Sequence, residues 1–272
     1  MNSLRNGLNK LSYLSPNRAG PLRGYPRPPR SVTDIGHMGQ WTADYLLRRG
    51  AVERSYCKPP EIPADPASAG RQLDVPWAEQ ESLLAVAVNF WMQHLRLAKR
   101  IDVEDAQQGR ELRLNACVAQ DHPARPLTDV GFGLSQALPI IVAGLGAADG
   151  GLLVVEQPEA QLHPLPQALL ADFFCSLVKS GRRALVETHS EAFFHRLRLW
   201  AALDDDLAKK IAVYFIAQPA PDGCCQQPQP VPLTDDDHLN WPPGFLMEGL
   251  DEELCIAAAR TARSRRSPDA DR

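Results

Sequence analysis

No apolar run in the 272 residues approaches the roughly 20 needed for a membrane-crossing helix, and no apolar core of a signal peptide is present. Excess charge is also missing. The 29 basic and 33 acidic residues leave a net charge of -4 and a pI near 6.0, so bulk charge argues for neither nucleic acid nor an anionic membrane. Cysteine is sparse, and positions 57, 117, 175, 224, 225 and 255 show no metal-ligand spacing. Unpaired thiols in a reducing compartment are expected. The first 33 residues lack any acid and carry Lys10 and five arginines. That composition is like a transit peptide, but "SPNRAGPLRGYPRPP" is too rich in Pro and Gly for an amphipathic helix. A cytoplasmic protein is the expectation. No internal repeat is visible.

Hydrophobic residues make up 44% of the chain, enough for a true core. Residues 1–76 read as an irregular Pro/Arg-rich segment, with a short helix near Gln40 to Arg49. Arg18, Arg23, Arg27 and Arg30 read as a solvated leader or as contacts to phosphate. "WAEQESLLAVAVNFWMQHLRLAKR" repeats apolar residues at helical spacing, and "ELRLNACVAQ" alternates as a half-buried strand does.

From Leu134 the pattern changes. "LSQALPIIVAGLGAA" predicts an apolar helix with Ser135 at its start, and "GLLVVE" a buried strand. "PLPQALLADFFCSLVKS" predicts a helix with Pro164 at its first position. "RRALVET" reads as a second buried strand, "SEAFFHRLRLWAAL" as a helix capped by Ser190, and "KIAVYFIAQ" as a third strand. A further short strand is expected near Gln229 to Leu233, with an acidic turn, a final helix from about Met247 and a disordered tail over residues 263–272.

This alternation predicts an α/β fold, a parallel sheet with helices on both faces. Ligands of such sheets bind at the carboxyl ends of the strands. Glu156 ends one predicted strand, and Glu187, Thr188 and His189 end the next. Both ends converge on one place.

Three motifs, "VGFGLSQALPIIVAGL", "LLVVEQPEAQLHP" and "ALVETHSE", resemble in order and spacing the second half of an ABC-type ATPase head. They are most similar to the AAA, OLD-like (overcoming-lysogenisation-defect) ATPases, relatives of chromosome-segregation and DNA-repair ATPases. "YLSPNRAGPLR" and "WPPGF" look like that family too. The resemblance implies a P-loop NTPase carboxyl-terminal lobe over residues 77–262, with ATP and Mg²⁺ as cofactors and hydrolysis within a dimer. Gly131, Gly133, Ser135 and Gln136 occupy the signature region, which would reach the γ-phosphate of the other subunit. Glu156 stands where the Walker B metal ligand belongs and Gln157 where the catalytic glutamate belongs. Glu159 to His163 form a loop facing the partner, and His189 is the phosphate-sensing histidine.

A strand-end carboxylate suits Mg²⁺, because hard cations prefer oxygen. Gln157 cannot take a proton and so is no general base, but an amide can orient water. Glu159 or Glu187 could serve as the nearby carboxylate. The phosphate cradle G-x-x-x-x-G-K-[ST] does not occur, since no lysine follows a glycine. Losing its charge-assisted bonds, each worth about 1.5 to 3 kcal/mol, removes most of the expected ATP affinity. A partner chain bearing the P-loop, a truncated gene and a non-catalytic derivative remain open. A homodimer or such a partner is the expected assembly, with DNA or defence as the setting and no membrane.

Overall fold

The computed structural model describes residues 10–29, 33–52, 54–55, 82–106, 111–119, 122–218, 226–233, 241–242 and 245. The final helix from Met247, the tail, the acidic turn and Arg30 lie outside these.

Among the described residues, the sheet that matters here has three strands, all parallel, in the order β1 (Leu11–Leu14), β7 (Leu152–Glu156), β8 (Arg183–Glu187). Between β1 and β7 the chain forms helix α1 (Thr42–Arg49), a small pair β2 (Arg54–Ser55) and β3 (Ser82–Leu83), and helix α2 (Leu84–His94). An antiparallel sheet follows, of β4 (Arg100–Ala106), β5 (Glu111–Cys117) and β6 (Arg125–Pro126), and then helix α3 (Phe132–Leu145). Helix α4 (Pro164–Lys179) joins β7 to β8, and helix α5 (Glu191–Leu203) follows β8.

Local chemistry explains the connections. Pro164 sits in the first turn of α4, where its missing N–H would lack a partner anyway. The helix stops at Gly181, whose φ of +83° is left-handed. Gly181 N donates to Val178 O at 3.1 Å and Arg182 N to Leu177 O at 3.0 Å, a Schellman stop that starts β8 two residues later. Ser190 caps α5 as expected, its Oγ accepting from Phe193 N at 3.1 Å.

The register defines two faces of the sheet. Leu14, Val155 and Val186 form one row, and Leu153 and Ala184 lie in the next; all belong to or pack on the core with α3, α4 and Phe193. Helix α3 is buried nearly all round. The opposite face carries Tyr13, Val154 and Leu185 in one row and Leu11, Leu152 and Arg183 in another. Leu11 is 42%, Tyr13 40% and Leu185 61% exposed.

Three expectations are corrected. Leu11–Leu14, inside the stretch read as irregular, is a sheet strand; four residues are too few to show a period against flanking Ser and Pro. Among the described residues, helices pack on the face that carries Leu14, Leu153 and Val155, and β8 is half-exposed rather than buried. The third strand expected over 210–218 does not join the parallel sheet. Val213–Phe215 (β9) pairs antiparallel with Gln229–Val231 (β10).

The chain divides into two compact units, Met1–Trp200 and Ala201–Arg272. The second holds β9, β10 and a short helix α6 (Asp205–Ala208), whose first turn is capped by Asp204 accepting from Leu207 N at 2.9 Å. No helix among the described residues is long and apolar enough to cross a membrane.

Candidate functional site

Parallel pairing of β7 and β8 puts Glu156 directly beside Glu187, both on the open face and both at the carboxyl end. Glu156 is half-buried and its Oε1 accepts from the Tyr13 hydroxyl at 3.0 Å. Donation to that carboxylate raises the Tyr13 phenol above its ordinary pKa. Glu156 Oε2 has no hydrogen-bond partner among the described residues. His189 projects from the loop after β8, and its Nε2 lies 3.0 Å from Glu187 Oε1 with the imidazole 76% exposed. Glu156, Glu187 and His189 thus share one end of the sheet, as the strand polarity required.

Gln157 starts the loop after β7 with a φ of 45°. A non-glycine residue there costs on the order of 1 kcal/mol, so something must hold it. Gln157 N donates to Glu187 O at 2.8 Å, tying the two strand ends. From the other side Arg18 Nη1 donates to Glu156 O at 2.9 Å and to Ser15 O at 3.1 Å, and Arg18 Nη2 to Gln157 O at 2.7 Å. Arg18 is only 5% exposed. Burial lowers its pKa from the ordinary value and the Glu159 charge opposes that shift. Arg18 is therefore no solvated leader residue: it clamps the turn that carries Glu156 and Gln157.

Glu159 has both oxygens engaged. Oε2 accepts from Thr188 Oγ1 at 2.8 Å and Oε1 from His189 N at 2.7 Å. Its place is to order the His189 loop. His163 is exposed at the start of α4, where its carbonyl accepts from Gln167 N at 3.2 Å but its ring makes no cap.

The residues expected to form the signature region divide in two. Gly131 is exposed and precedes α3, and Gly133 lies in its first turn. A Cβ on Gly133 would stand 2.7 Å from Gln161 O, so only glycine lets α3 approach the 157–163 loop this closely. Ser135 and Gln136 point into the core at 4% and 3% exposure. Ser135 Oγ donates to Phe132 O at 2.7 Å, so it caps nothing. The expected helix start at Ser135 is corrected to Phe132, because the three preceding residues already continue the helix.

Sequence reasoning missed Tyr13 and undervalued Arg18. The only signal for either lay in "YLSPNRAGPLR". Replacing Arg18 by methionine removes three hydrogen bonds to carbonyls and is expected to destabilise the fold by about 2 to 3 kcal/mol. Urea unfolding reads this; an unchanged midpoint would show that the clamp holds nothing.

The donor chemistry fits a hard cation. Mg²⁺ takes one or two carboxylates and completes its shell with water and phosphate oxygen. Glu156 and Glu187 offer that number, and no group of three His, Cys, Asp or Glu forms a cage among the described residues.

Residues 88–194 match the AAA ATPase domain family, a stretch that includes both strand ends and the α3 start. No protein of curated function matches the chain. Among solved structures, the chain is similar to one from work on ATP-driven dimerization and DNA-stimulated activation of SMC ATPases. The two share 11% identity with a TM-score of 0.43, over 63% of this chain and 91% of that one. The class defined by fold and family match is an α/β domain with a parallel sheet flanked by helices, similar to AAA-type ATPases.

Proposed function

We propose that this chain is the carboxyl-terminal lobe of an OLD-like, ABC-type ATPase head that binds and hydrolyses ATP in a dimer, with the P-loop supplied by another chain. The observation that carries this reading is the delivery of Glu156 and His189 to one end of two adjacent parallel strands, inside the stretch matching the AAA ATPase domain. Glu156 would hold Mg²⁺, with Glu187 beside it; the ion neutralises phosphate charge when bound. Tyr13 orients Glu156, and Arg18 fixes the turn so that Gln157 can orient water. His189 donates to a terminal phosphate. Glu159 holds His189 in place, and His163 faces the partner subunit. The backbone at Gly131 and Gly133, at an apolar helix N-terminus, faces the other subunit's phosphate. Ser135 and Gln136 support that helix from within the core. A cytoplasmic, DNA-associated or defensive setting follows from family analogy alone.

A second reading, a non-enzymatic interaction module, draws on the absent glycine–lysine cradle and on the structural use of both Glu159 oxygens.

Calorimetry with ATP and Mg²⁺ separates the two. The isolated chain is expected to bind ATP no tighter than about millimolar, a loss consistent with missing several charge-assisted bonds. Micromolar affinity for the isolated chain would contradict the need for a separate cradle. A P-loop-bearing partner that binds ATP but never turns it over would favour the interaction module.

A further inference from the structure

Residues 157–163 join β7 to α4, and two of them, Gln157 and Gln161, hold left-handed backbone with φ of 45° and 63°. Neither is glycine, so each strains the chain and persists only where its surroundings hold it. Arg18 and the Glu187 carbonyl hold the first. The second lies next to Leu162 and needs a hold of its own.

Gln167 supplies it from the start of α4. Its Nε2 donates to Leu162 O at 2.8 Å, and its Oε1 accepts from Ser190 Oγ at 2.7 Å. The amide fits only this way round. A carbonyl has nothing to donate, so the NH₂ must face Leu162 O and the amide oxygen is left for Ser190. Ser190 then gives its hydroxyl proton to Gln167, and its lone pair takes the Phe193 N–H at 3.1 Å.

Further bonds close a ring. Glu159 accepts from Thr188 Oγ1 and from His189 N, Ser190 N donates to Thr188 Oγ1 at 3.1 Å, and Leu162 N donates to Glu159 O at 3.0 Å. The loops after β7 and β8 are therefore bridged twice, by Glu159 and by Gln167. His189 stands between the bridges with its imidazole 76% exposed. Packing does not place so exposed a ring; the backbone beneath it does. Glu159 pins that backbone on one flank and Gln167, through Ser190, pins it on the other.

We infer that Gln167 is a positioning residue for His189: through Leu162 and Ser190 it locks the two strand-end loops together and so fixes the backbone that sets the imidazole beside Glu187. Its effect on rate rests on the proposed ATPase reading; its hold on the loops does not.

Two variants test this. Gln167→Met keeps the side-chain length and the helix propensity and removes both bonds. Gln167→Glu keeps an acceptor for Ser190 but sets a second oxygen against Leu162 O. In the isolated chain, amide hydrogen exchange over residues 157–163 and 187–190 is expected to quicken about fivefold or more in both variants, while the interior of α4 exchanges as in wild type. Unchanged exchange in the two loops overturns the inference. Equal quickening along the whole chain also overturns it, because the loss is then one of general stability. In a complex that turns over ATP, both variants are expected to lower kcat about fivefold or more at unchanged KM, the mark of an interaction made only in the transition state. Wild-type kcat in both variants overturns the positioning role even where exchange quickens. If the wild-type chain with a P-loop partner turns over no ATP, the ATPase reading falls and the exchange result alone decides the tie.

Discussion

In a complex that turns over ATP, Glu156→Ala and His189→Ala each slow hydrolysis about tenfold or more, a barrier increase of at least about 1.4 kcal/mol. For Glu156 the reason is charge. Glu156 stands beside the in-register Glu187, and alanine removes the one carboxylate that Tyr13 orients. Glu187 remains, but it is paired with His189 at 3.0 Å and lies one strand away. For His189 the reason is donation to a developing phosphate charge. The exposed imbalance is informative: His189 is 76% exposed and contributes little to folding, so its loss should leave the melting temperature unchanged while the rate falls. Steady-state ATPase assays at saturating partner measure both. Wild-type rates in both variants would remove these residues from the chemistry, whatever the fold.

Asp172→Ala is expected to cost about 3 to 5 kcal/mol of stability, because it orphans buried partners rather than deleting a contact. Asp172 is fully buried and ties three helices together. Its Oδ1 accepts from Arg196 Nε at 2.7 Å and Trp200 Nε1 at 2.6 Å; its Oδ2 accepts from His94 Nε2 at 2.9 Å and Arg196 Nη2 at 3.0 Å. Burial alone would push this carboxyl up, but the hydrogen bonds from His94, Arg196 and Trp200 and the Arg196 charge outweigh it and hold the pKa below the usual 3.8. The sign follows. A carboxylate with a lowered folded pKa stabilises fully above its unfolded value and loses that contribution as pH falls through the folded value. The wild type should therefore weaken on acidification below about pH 4, whereas Asp172→Ala should lose this part of the dependence. Urea unfolding from pH 3 to 7 checks it. A variant within about 0.5 kcal/mol of wild type at pH 7 would show that the network stabilises nothing.

Much of this site was legible in the residues alone. "GLLVVE" and "RRALVET" are strand-length apolar runs, each ending in acid, joined by one amphipathic helix with proline at its start. A strand–helix–strand unit in one sheet is right-handed and parallel, so both acidic ends had to meet. The Ser190 cap and the Pro164 helix start follow from side-chain chemistry within a turn of the chain. By contrast, nothing within the first 30 residues announced a strand. Leu11–Leu14 is short, and its alternation appears only against β7. Ser135 was misread because a serine near a helix start usually caps it, whereas here the helix begins earlier and buries the hydroxyl. The acidic strand Arg100–Ala106 showed no apolar run, since only one side meets the core.

Local pattern by itself determined helices α4 and α5, the strands β7 and β8 and the end of the sheet where Glu156 and His189 stand, because strand polarity and short crossovers leave no other arrangement. Tertiary structure alone decided that Tyr13 orients Glu156, that Arg18 clamps the turn from 138 and 139 residues away, and that Leu11, Tyr13 and Leu185 stand exposed on one sheet face. Contacts across such separations depend on how the whole core closes, and no periodicity in a short window carries them.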